Sequence, residues 1–138
     1  MARPKTQPRV TGMKDIRLRI IPHDQQRYQT CGDYFSVDQG IEVITASKLP
    51  KEVYSHLVLV HELVERIICY HTGVSNESID AFDMEYEKNR KYGDDTEPGD
   101  MIAAPYYRAH QIATVVEKLL AVELGVIWAD YEKSIDDL

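Results

Sequence analysis

The stretch between Pro50 and Gly73 constrains this chain more than any other, because it reads as one long apolar-periodic helix with His61-Glu62-Leu63-Val64-Glu65 in its middle. Residues four apart stack on the same helix face. His61 and Glu65 therefore share a face with Tyr54, Leu57, Val58, Val64 and Ile68, and that face has to point into the protein. A carboxylate aimed at a core is costly unless it is protonated, paired with a cation or bound to a metal. A metal is the explanation that also uses His61. The helix is expected from about Pro50 to His71, with Pro50 at its first position, Glu52 complementing the dipole and Gly73 as the stop.

Ahead of it, Ile16-Arg17-Leu18-Arg19-Ile20 alternates with period two, the pattern of a half-buried strand. Tyr34–Val37 and Ile41–Thr45 read as two more strands, and Asp38-Gln39-Gly40 between them suits a hairpin with a bulge. The polar link from Pro22 to Gly32 reads as a loop. After the long helix, Ser75 is placed to cap a second helix running to about Lys91, with Ile79, Phe82 and Tyr86 as its packing face and Asp80, Asp83 and Glu87 as an acidic stripe. Residues 92–104 are rich in Gly, Asp and Pro and read as a surface loop. A third helix is expected from about Pro105 to Leu124. Ile112, Val115, Val116 and Leu119 form its main apolar face. His110, Ala113, Thr114, Glu117 and Ala121 form a second face, small enough for close approach by another helix. Trp128 to Leu138 adds a short turn of helix. Strands first and helices after make the class α+β: a small N-terminal antiparallel sheet packed on a bundle of three main helices.

A chain of 138 residues is most simply one domain. The reading is a flexible basic tail over 1–14 and a single domain over 15–138. Arg3, Lys5, Arg9 and Lys14 lie in that tail without any acid, so the rest carries −11 against −7 overall. Such a body should repel nucleic acid. No apolar run reaches membrane-span length, no secretory signal is recognisable, and two cysteines make no disulfide framework. These point to the cytoplasm, with no membrane partner.

Catalytic zinc sites take three protein ligands and keep a fourth position open. In the His-Glu-x-x-His signature one helix supplies two of them, and its Glu is the general base. Here His61 holds the first ligand position and Glu62 the base position, while Glu65 replaces the second histidine. Carboxylate oxygen is an acceptable zinc ligand. His110 on the facing helix is the candidate third ligand, with Asp83 competing for that place. Glu62 projects about 100° around the helix from His61, which suits it to accept a proton from an activated water. The expected chemistry is zinc-assisted hydrolysis, with amide bonds in a protein or peptide as the natural substrate.

At these residues the chain resembles a family. A strand pair leading into a His-Glu-x-x helix is similar to the small zincin-like metallopeptidases of the SprT-like and ImmA-like groups. It looks closer still to small phage and prophage proteins with a His-Glu-Leu-x-Glu helix, an Ala-Phe-Asp segment and a Pro-Tyr…His helix. The matching residues are His61–Glu65, Ala81-Phe82-Asp83 and Pro105-Tyr106…His110, within roughly residues 41–125. The resemblance implies a zincin-like fold and, for a phage-encoded chain, the host cytoplasm. Two rival readings remain open. Glu62-x-x-Glu65 with Asp80-x-x-Asp83 resembles the magnesium-holding acids of all-α MazG-type nucleotide pyrophosphohydrolases. A zincin-like scaffold that binds another protein without catalysis is the second.

Overall fold

The computed structural model describes residues 12–38 and 40–138. The expectation of a basic tail therefore lies outside the described residues, apart from 12–14, where the Lys14 amide donates to the Gly40 carbonyl at 3.3 Å. The class is α+β, with one three-stranded sheet and four helices.

The strands are β1 (Asp15–Ile21), β2 (Gly32–Asp38) and β3 (Ile41–Ser47), in the order β1-β3-β2. β2 and β3 form the expected antiparallel hairpin, and its register shifts between Ser36 and Asp38. β1 corrects the reading of a purely antiparallel sheet, because it pairs parallel to β3, from Asp15 opposite Ile41 to Ile21 opposite Ser47. The link from Pro22 to Cys31 is the physical reason. It is too long for a tight turn, and it folds back over one face of the sheet. There Gln26 bonds Thr45 and Ser47, and the Arg27 guanidinium stacks 4.6 Å from the Phe35 ring centroid. The most apolar strand, β3, is thereby left in the centre, flanked by both others.

The alternation of β3 sends Ile44 and Ala46 to the opposite face, onto α1 (Glu52–Thr72). Both are fully buried, in one cluster with Leu57, Val58 and Cys69. Burying a side chain such as Leu57 stabilises the fold by about 1.5–3 kcal/mol. A buried ion pair, Arg66 Nε to Glu42 Oε1 at 2.6 Å, adds a fixed lateral register between helix and strand. Pro50 lies before the helix rather than inside it. Lys51 is the N-cap, and Ser55 ties the entry by accepting from the Leu49 amide and donating to the Ser47 carbonyl. Gly73 closes the helix as expected.

α2 (Asn76–Lys88) starts at Ser75, whose hydroxyl accepts from the Ser78 amide at 3.2 Å. It ends earlier than expected, at Lys88. α3 (Tyr107–Glu123) packs on α1, and α4 (Trp128–Asp136) follows. On α3 the two faces are exchanged relative to the hydrophobic pattern. His110, Ala113, Glu117 and Ala121 are buried against α1, while Ile112, Val115 and Leu119 face solvent, Leu119 at 68% exposure. The small residues allow close approach, and the polar ones find partners inside. Among the described residues, no helix is long and apolar enough to cross a membrane.

Candidate metal centre

His61 and Glu65 lie one turn apart on α1, and α3 brings His110 onto the same spot. His61 Nε2 is 3.1 Å from Glu65 Oε2 and 3.1 Å from His110 Nδ1, and the last two atoms are 2.9 Å apart. All three residues are buried. A tetrahedral ion with bonds of about 2.0–2.1 Å spaces its ligand atoms by about 3.3–3.4 Å. The triangle matches that spacing to within half an ångström, so the donor set fits a single small cation. Asp83, the competing candidate, lies outside the group.

Each donor is held by a partner behind it. His61 Nδ1 is 2.7 Å from Glu117 Oε1, so in the neutral ring it donates there and leaves the Nε2 lone pair facing the triangle. His110 Nε2 is 3.2 Å from both Glu97 Oε2 and Asp100 Oδ1, which directs its Nδ1 lone pair inward. Tyr34, on the α1 face of β2, donates to Glu65 Oε1 at 2.8 Å and leaves Oε2 for the triangle. Such partners fix ring orientation and tautomer at metal sites. Glu97, Asp100 and His110 Nε2 are also close enough together to hold an ion, but they use the same ring from its other side.

The electrostatics of the cluster favour positive charge on it. Burial opposes charge on His61, yet bonds to Glu117 and Glu65 outweigh it and hold the ring well above the usual imidazole range. Burial likewise opposes charge on His110, and Glu65 and Glu97 raise it to about 10. Burial works against an ionised Glu65, but the two rings pull it down to about 2. The group thus gathers positive charge, as protons on its rings or as a divalent ion that displaces them.

Glu62 sits next to this triangle and differs from it. It makes no hydrogen bond among the described residues, and burial, followed by repulsion from Glu65, pushes its carboxyl well above the usual range. Its position depends on Gly32 at the start of β2. A Cβ there would stand 2.7 Å from Glu62 Cγ and from Val58 Cγ1. A Cβ on Gly99 would stand 2.6 Å from the His110 ring, so the loop before α3 also presses onto the site through a glycine. His61, Glu62, Glu65 and His110 all line one cleft of about 550 Å³.

Asp83 is buried elsewhere on the cleft wall, where Tyr28 donates to it at 3.1 Å and Tyr106 at 2.5 Å. Burial raises its carboxyl to about 6 against the pull of those hydroxyls. Asp80 is taken by Arg27 at 3.2 Å. The four acids Glu62, Glu65, Asp80 and Asp83 therefore do not converge on one point. Arg66 pairs with Glu42 and not with Glu65, and Cys69 is buried in the core. Sequence reasoning placed Glu117 on the close-packing face without a role, and it missed Tyr34, Glu97 and Asp100 behind the donors. The signal for Glu117 was its spacing of seven from His110, two turns along one face. No local pattern marks the other three. No protein-family model, curated protein or solved structure matches this chain.

Proposed function

We propose that this protein is a zinc-dependent hydrolase of zincin-like type, acting on amide bonds. The observation that carries the proposal is the triangle of His61 Nε2, Glu65 Oε2 and His110 Nδ1, each donor backed by its own carboxylate or hydroxyl. Two imidazoles and one carboxylate are a ligand set used by catalytic zinc. Bound there, Zn²⁺ would supply Lewis acidity and water activation at neutral pH.

The chain's own residues supply the rest. His61, Glu65 and His110 hold the ion, and Glu117, Tyr34, Glu97 and Asp100 hold those three in orientation. Glu62, which lines the same cleft beside the triangle and makes no hydrogen bond among the described residues, would accept the proton of the attacking water and deliver it to the leaving amine. The His-Glu-x-x-Glu helix beside strand β2 supports the resemblance to zincin-like peptidases, with Glu65 in place of their second histidine.

The test is zinc content and hydrolysis, measured on wild type, His61→Ala and Glu62→Gln purified without chelator. Wild type should carry near one zinc per chain and cleave a mixed pool of fluorogenic peptides. His61→Ala should lose both properties, and Glu62→Gln should keep the zinc and lose cleavage. Zinc-free wild type overturns the metal centre. A zinc-loaded wild type that cleaves nothing leaves a binding module on the same scaffold.

A further inference from the structure

Above the metal triangle, the cleft is walled by two segments of like charge. The loop before α3 presents Asp95, Glu97 and Asp100, and α4 presents Glu132 and Asp136 from the other side. All five are exposed. Twelve side-chain carboxylates line the cleft, against Arg90, Lys118 and the His61 and His110 rings, so negative groups are in excess on its walls among the described residues. Both fixed cations already have contacts of their own. Arg90 is held bidentately by Glu87 at 2.8 and 2.7 Å, and the Lys118 ammonium lies over the Trp128 ring, 5.3 Å from its centroid. The two walls feel each other: burial first, then Asp95, Glu132 and Glu97, raise the Asp136 carboxyl above the usual range.

Two further observations point to a ligand in this place. The metal triangle opens into the same cleft, so a reacting group has to pass between these walls. Tyr131 also lines the cleft at 1% exposure, and burial and the neighbouring Glu117 carboxylate hold its hydroxyl well above the usual phenol range. The Trp128 and Tyr131 rings pack edge-on with centroids 5.2 Å apart, and Trp128 already receives an ammonium from Lys118.

We infer that the cleft selects a basic peptide, with Lys or Arg side chains lying between the 94–100 loop and α4 while an amide bond of its backbone reaches the triangle. This rests on the hydrolase reading for the amide, though the charge selection can be measured apart from it. Like-charged walls of low dielectric focus their field on an incoming cation and weaken with salt. A cleft of about 550 Å³ falls in the range of sites that hold a short segment rather than a folded surface.

The test uses the full chain, with labelled acetyl-tetralysine, acetyl-tetraserine and acetyl-tetraglutamate amides followed by fluorescence anisotropy at low and high salt. Tetralysine should bind best, and less tightly at high salt. The triple variant Asp95→Asn, Glu132→Gln, Asp136→Asn should weaken it by about tenfold or more. A control triple of equal charge change away from the cleft, Glu52→Gln, Glu77→Gln, Glu123→Gln, should shift it by less than about twofold. Equal binding of tetralysine and tetraglutamate, or equal loss in the two triples, overturns the inference. Zinc content of the same samples is read in parallel, so a missing metal refutes the hydrolase reading while the charge result stands by itself.

Discussion

Two buried polar clusters share one cleft wall, and they solve the cost of a buried carboxylate in opposite ways. At Asp83 each oxygen receives a tyrosine hydroxyl, Tyr28 on one and Tyr106 on the other, and the cluster is complete. At Glu65 only one oxygen is served by a hydroxyl, from Tyr34, and the other faces two ring nitrogens. Those rings are themselves backed by Glu117, Glu97 and Asp100, which adds negative charge around the same point. A carboxyl with a neutral donor on each oxygen is a packing device. One that shares its oxygen with two imidazoles has donors grouped closely enough to hold a cation.

The sharpest way to break that contrast is to remove a donor from each cluster. Glu65→Gln and His61→Ala should abolish zinc binding, whereas Asp83→Asn should retain near one zinc per chain by elemental analysis. Zinc at a hundred times its Kd should raise the unfolding free energy of wild type by about 2.7 kcal/mol. In His61→Ala the thermal midpoint should not respond to zinc at all. If Asp83→Asn loses zinc as His61→Ala does, the two clusters are not separate.

The partners behind the rings come next in size. Glu117→Gln should weaken zinc affinity by about 10- to 100-fold in a competition titration, because the His61 ring loses its charged anchor. Gly99→Ala should act in the same direction, since its Cβ displaces the His110 ring. Gly32→Ala, which crowds Glu62 and Val58 instead, should spare zinc content and reduce hydrolysis.

The Asp83 cluster has its own signature in pH. Its carboxyl is raised to about 6 in the folded protein, against about 3.9 in an unfolded chain. Between those values the folded state binds more protons, so this group's contribution is present at low pH and is lost as pH rises from about 4 to about 6. The amplitude is at most about 3 kcal/mol. Asp83→Asn should flatten that part of the stability profile in urea titrations. The smallest effect belongs to the outward face of α3, where Leu119→Ser should change stability by no more than about 0.5 kcal/mol. A large loss there would show that this face is covered.

Much of the centre was legible because it is local. His61, Glu62 and Glu65 lie on one helix with a fixed geometry, and the buried carboxylate calls for a cation. His110 was reachable because a small-residue face on α3 implied a close neighbour. Hydrophobicity failed on α3 because the site took the interior: His110 and Glu117 are buried by partners across the helix pair, which leaves Ile112, Val115 and Leu119 outside. Asp83 read as a competing ligand on an acidic stripe because its partner Tyr28 lies 55 residues away in sequence. The parallel placement of β1 was hidden for a similar reason, since it depends on where the Pro22–Cys31 link crosses the sheet.

The most direct measurement of the central claim is zinc X-ray absorption on the metal-loaded full chain. A first shell of nitrogen and oxygen at about 2.0–2.1 Å is predicted, with the outer-shell scattering of two imidazoles and no sulfur near 2.3 Å. A sulfur shell from Cys31 or Cys69, or a shell of oxygens without imidazole, would contradict a centre built on His61, Glu65 and His110.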